Sequence, residues 1–201
     1  MTYQWHDLRV SIEMIIMGGL FVMGIYNIVL FSLLRKGFSY FCFGLLCFFI
    51  CLRMTVTGEM YLMQVFPSAG FEAVRRIELL TYALSVPLCL TVIRSLFEDE
   101  FHKRVIQVIW FAGALCSLII IATPYKFYIN VMGAYDVLTV ALCLYTIAMM
   151  ARASMLKRKG ALLMLAGTVL ISIGVLNDIL LKSGITNTID MFSYFLFVFL
   201  V

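Results

Sequence analysis

Apolar residues run through this chain in long blocks separated by short polar stretches. Seven blocks can be marked, at about residues 10–34, 40–63, 73–97, 105–123, 129–153, 161–181 and 189–201. A helix needs about 20 residues, rising about 1.5 Å each, to cross about 30 Å of hydrocarbon. The first six blocks meet that length, so the pattern predicts an all-α, polytopic membrane bundle with seven transmembrane helices. Residues 1–9 form a short polar stub ahead of it, and residues 10–201 form one membrane domain. The last block would reach only about 20 Å as a helix. That shortfall leads us to expect a truncated seventh span and a chain cut from a longer protein. Pro67 and Pro124 fall between blocks. Pro87 falls inside the third, where its missing amide proton predicts a kink.

Composition agrees with that reading. Of 201 residues, 64% are hydrophobic and 13% charged, with a mean hydropathy of +1.05, whereas soluble domains are roughly half apolar and a quarter charged. A water-soluble fold is excluded. The formal charge of +4 does not point to nucleic acid, because the basic residues flank apolar blocks, where they set orientation. Arg35, Lys36, Arg94, Lys103, Arg104, Arg152, Lys157, Arg158 and Lys159 fall on one side. Arg9, Arg75, Arg76, Lys126 and Lys182 fall on the other, and Arg53 lies within a span. Nine against five places the first set in the cytoplasm. The N-terminus is then outside and the C-terminus cytoplasmic. Trp5, Tyr61, Phe66, Tyr125, Phe127 and Tyr128 lie near the outer ends, where an aromatic belt belongs.

The residue types that carry chemistry are placed unfavourably for it. All six cysteines, Cys42, Cys47, Cys51, Cys89, Cys116 and Cys143, lie in apolar blocks without a CxxC pair, so no zinc site or disulfide framework is indicated. His6 and His102 fall on opposite sides of the membrane, and no histidine lies in a span. That disfavours intramembrane catalysis with a histidine base or a histidine-bound metal. There is no glycine-rich phosphate loop, and no lysine in 190–201 to carry retinal. No catalysis, cofactor or metal is therefore expected of this chain. The first apolar block, with Asp7 and Arg9 before it and Glu13 near its start, carries no cleavage signal.

Ionisable groups within spans are costly and mark function or pairing. On the assigned topology, Arg53, Glu59, Arg76, Glu78, Asp136 and Asp178 gather in the outer half, with Arg53 deepest, near mid-span. They are a candidate polar network in which Arg53 or Arg76 neutralises Glu59, Glu78 or Asp178. Glu13, Arg75 and Arg76 read better as helix-end residues that touch headgroup water or snorkel. Asn27 and Asn177 are candidates for hydrogen bonds between helices. Gly18, Gly19, Gly113, Ser117, Gly167 and Gly174 would allow close helix approach, but no clean GxxxG is present, so a homodimer is left open.

The run IYNIVLFSLLRKGFSYFCFGLLCFFICLRMTVTGEMYL at 25–62 resembles the bacterial seven-transmembrane receptors with diverse intracellular signalling modules. RRIELLTYALSVPL and GVLNDILLKSGI, later in the chain, add to the likeness, which extends over nearly the whole length. The resemblance implies a multi-pass receptor of the bacterial cell membrane. It would follow an extracytoplasmic sensor domain, of which TYQWHDLRVSIE resembles the tail, and precede a histidine kinase, diguanylate cyclase or phosphatase module. It brings no catalytic residues.

Polarity and resemblance together predict a receptor that relays an extracytoplasmic ligand's signal, by helix repacking, to a cytoplasmic output module. A proton- or cation-coupled transporter or channel is the alternative, with the same acids lining its path, although the inner half is largely apolar. A passive anchor joining outer and inner domains is a third reading. The partners implied are the lipid bilayer, an outer ligand or sensor domain, and the output module.

Overall fold

The computed structural model describes residues 2–34, 37–57, 70–97, 100–158, 160–182 and 195. Among these it holds six helices and no strand: α1 Thr2–Leu34, α2 Phe38–Val56, α3 Phe71–Leu96, α4 Lys103–Ala122, α5 Tyr125–Met155 and α6 Ala161–Lys182. Each contains a stretch long and apolar enough to cross a membrane. The expected seventh span lies outside the described residues save for Phe195, which is helical. Residues 2–9, set apart by their polarity, continue α1 without a break.

The described part of the second span is α2. α2 ends at Val56, where Thr57 turns extended (φ −96°, ψ 171°) and its amide bonds back to the Arg53 carbonyl at 2.9 Å. The Thr57 hydroxyl donates to the same carbonyl at 2.8 Å. Arg53 therefore stands in the last turn of α2.

Apolarity and burial run in opposite senses here. α3 is the least hydropathic of the six spans and the most buried, and α1 is more apolar and mostly exposed. In lipid, the outward face must be apolar while the protein-facing side is free to carry small and polar groups. α3 buries Thr81, Tyr82, Ser85 and Glu78 among its apolar residues. It runs on through Pro87, whose carbonyl accepts the Thr91 hydroxyl at 2.7 Å.

The chain divides into two compact units, residues 1–92 and 93–201, with the boundary in the last turn of α3. In the first, α1 and α2 pack as an antiparallel hairpin. Gly37 enters α2 at φ 90°, which glycine adopts without a Cβ clash. The register is fixed by three contacts. Phe31 lies 5.4 Å from Phe41, Phe21 meets Phe48 edge-on at 5.5 Å, and the Cys51 thiol reaches the Met17 carbonyl at 3.8 Å. Between them Gly24 and Gly44 bring the backbones together: a Cβ on Gly44 would lie 2.8 Å from Ile28 Cγ1 and 3.0 Å from the Gly24 carbonyl oxygen. Gly18, expected to serve close approach, has nothing within 4 Å of that position.

In the second unit α5 packs on both α4 and α6. Its buried stripe is Tyr128, Met132, Tyr135, Thr139, Leu142, Thr146, Met150 and Ala153, at intervals of three or four that keep one face inward along the whole helix. α4 answers with Ile106, Ile109, Gly113, Cys116 and Ile120 at the same intervals. The α5–α6 turn is a Schellman arrangement: the Arg158 amide bonds to the Ala153 carbonyl at 3.2 Å around Lys157, which sits at φ 53°.

Candidate functional site

The first group of charged side chains lies where α2 ends and α3 begins. Arg53, 1% exposed, holds its guanidinium carbon 5.6 Å from the centre of the buried Tyr82 ring. A cation over an aromatic face is worth about 2 kcal/mol or more once both are out of water. Tyr82 was not legible as its partner, because an aromatic residue in an apolar block carries no sign of what it stacks on.

Along α3, Glu78 binds Arg75 at 2.6 Å, and Arg76 binds Glu72 at 2.7 Å. Both pairs are intrahelical, at spacings of three and four, where side chains on one helix face meet. Glu78 is mostly buried, whereas Glu72 is half exposed, so the second pair contributes little. Of the candidate network, Glu78 and Arg76 each have a partner one turn away on α3. Glu59 lies outside the described residues. Glu13 of α1, set aside as a helix-end residue, is buried.

The second group belongs to the α5–α6 hairpin. Asp136 and Asp178 lie 22 and 20 residues to either side of Arg158 in the turn, so their levels along the hairpin differ by about 3 Å. Asp178 is buried and its carboxylate accepts from Asn177 Nδ2 at 3.4 Å. One oxygen of Asp136 is buried with no hydrogen-bond donor among the described residues. Asn27 donates to the Met23 carbonyl at 2.9 Å, one turn back on its own helix.

Buried hydroxyls, passed over in the sequence, continue from these acids. Thr139 and Thr146 on α5 and Thr168 and Ser172 on α6 are all buried. Each donates to a carbonyl of its own helix, at 2.7–2.9 Å. In α3, Thr81 and Ser85 do the same at 2.8 and 2.6 Å. Their four- and seven-residue spacings were the available signal. Among the described residues no cluster of His, Cys, Asp and Glu is suited to a metal ion. The buried hydroxyls are thus held by carbonyls of their own helices, while Arg53 of α2 lies against Tyr82 of α3.

Residues 9–201 match the family model described as 7TM diverse intracellular signalling. Neither the curated proteins nor the solved structures contain a match. With six span-length apolar helices and a family match that covers nearly its whole length, the chain belongs to the 7TM diverse intracellular signalling family and is a multi-pass membrane protein of the receptor and sensor class.

Proposed function

We propose that this chain is the sensing and relay part of a bacterial cell-membrane receptor. Its N-terminus lies outside and its C-terminus in the cytoplasm. A ligand or a preceding sensor domain acts on the outer face, and the helices repack to regulate a histidine kinase, diguanylate cyclase or phosphatase module. The chain itself carries out no catalysis.

The observation that supports this reading is the placement of buried charge. Glu13, Arg53, Glu78 and Asp178 are the buried acidic and basic residues among those described. Each stands toward the helix end that the Lys and Arg count assigns to the outside. Buried charges with a choice of partners are suited to a bundle with two packings, since changing a pairing changes the helix positions it favours. In cells carrying the output module, Arg53→Leu, Glu78→Gln and Asp178→Asn should each shift reporter output at least severalfold while membrane insertion stays normal. Unchanged output from all three would remove the network from the mechanism.

The seam from Asp136 through Thr139, Ser172, Thr146 and Thr168 supports a second reading, an ion path through the α5–α6 hairpin. The commitment of each hydroxyl proton to its own backbone weighs against it. Proton or cation flux in liposomes, abolished by Asp136→Asn, would establish that reading over the first.

A further inference from the structure

Between α4 and α5 runs a cleft of about 320 Å³. Its walls are Val105, Val108 and Ile109 from α4 and Leu138, Ala141 and Leu142 from α5. A volume at the low end for ligand sites, about 300–1,000 Å³, suits a slender occupant. Walls without a hydrogen-bonding side chain give a polar ligand nothing to hold. Val108 and Ala141 are exposed, so the cleft opens on the outer surface of spans that a bilayer surrounds.

One end of the cleft differs. Arg104 lines it there, and Lys103 precedes Arg104 at the start of α4, where the helix dipole adds positive potential. Among the described residues no acid lies within ion-pair distance of either. Glu100, the nearest acid before them, faces Arg152 at 3.9 Å. Tyr145 completes this part of the lining and meets Phe101 edge-on at 5.9 Å, an aromatic pair of the kind found at headgroup level.

We infer that the cleft binds one acyl chain of an anionic phospholipid, whose phosphate is held by Arg104 and Lys103. The chain fills the apolar trough between Val108 and Ala141 while the phosphate meets two basic side chains at its mouth. Basic pockets between spans recognise anionic headgroups by this combination. On the topology proposed above, the lipid belongs to the cytoplasmic leaflet, although the chemistry of the site does not depend on that assignment.

Native mass spectrometry of the detergent-extracted protein tests the site, with phosphatidylglycerol and phosphatidylcholine of identical acyl chains as probes. One phosphatidylglycerol should be retained in preference to phosphatidylcholine. Arg104→Gln should lower its retention about fivefold, the value of one basic residue at an anionic surface. Ala141→Phe, which fills the trough, should abolish retention of both lipids. Val108→Trp fills the same trough from α4 and gives the same readout should Ala141→Phe not fold. Equal retention of the two lipids would overturn the assignment. So would filled-trough variants that still bind phosphatidylglycerol, competition by glycerol phosphate as effective as the whole lipid, or a second protein copy in place of lipid.

Discussion

At the scale of single residues, two positions carry more weight than their chemistry suggests. Gly44 meets Ile28 and the Gly24 backbone where no side chain fits, so Gly44→Ala should destabilise the α1–α2 hairpin by about 1–3 kcal/mol, the usual cost of overpacking. Gly18→Ala, with open space around it, should cost nothing measurable. Unfolding of both variants in a denaturing detergent series separates them. Arg53 is the second case. If its guanidinium is stabilised by the Tyr82 face, a double-mutant cycle of Arg53→Met and Tyr82→Leu should return a coupling of about 2 kcal/mol. Coupling near zero would mean that the ring is only a neighbour. By contrast, Glu72→Gln should change stability by less than about 0.5 kcal/mol, since its pair with Arg76 is exposed.

At the scale of elements, α5 shows what holds helices together where water is absent. Lipid tails are as apolar as a leucine, so burying a side chain gains close packing and not escape from water. Met150→Ala, fully buried on the α5 stripe, should therefore lower stability by about 2 kcal/mol through lost packing. Leu144→Ala, 65% exposed on the opposite side, should leave it nearly unchanged, and thermal unfolding in detergent distinguishes the two. The turn after α5 is strained in a correctable way. Lys157 occupies the left-handed position of its Schellman cap, and Lys157→Gly should raise stability by about 1 kcal/mol. A fall in melting temperature would show that the Lys157 side chain contributes more than its backbone costs.

At the scale of the molecule, the family and its membrane setting account for an arrangement that a soluble bundle would reverse. The most buried helix, α3, is the least apolar, and the most apolar helices show their side chains to lipid. The proposed orientation rests on nine Lys and Arg against five. A phosphatase reporter active only outside the cytoplasm should be silent when inserted after Lys157 and active when inserted after Pro124. The opposite pattern would invert the proposed receptor, placing its buried charges on the cytoplasmic side.

Six spans were legible in the sequence because span length and apolarity are sums over about 20 residues, and such sums survive errors at single positions. The family was legible in runs such as IYNIVLFSLLRKGFSYF for the same reason. Candidate ionisable residues could be named because any charge in an apolar block stands out against its surroundings. Their partners could not. Glu78 meets Arg75, Arg76 meets Glu72, and Arg53 meets Tyr82, choices set by side-chain reach on a helix face and by how α2 ends at Thr57. The close approach at Gly24 and Gly44 and the cleft beside Arg104 likewise depend on which faces meet. In a membrane, composition alone does not separate a lipid-facing side from a protein-facing one, since both tolerate apolar residues. Composition and chain order therefore determined that the chain forms span-length apolar helices, while tertiary packing decided which of their faces touch.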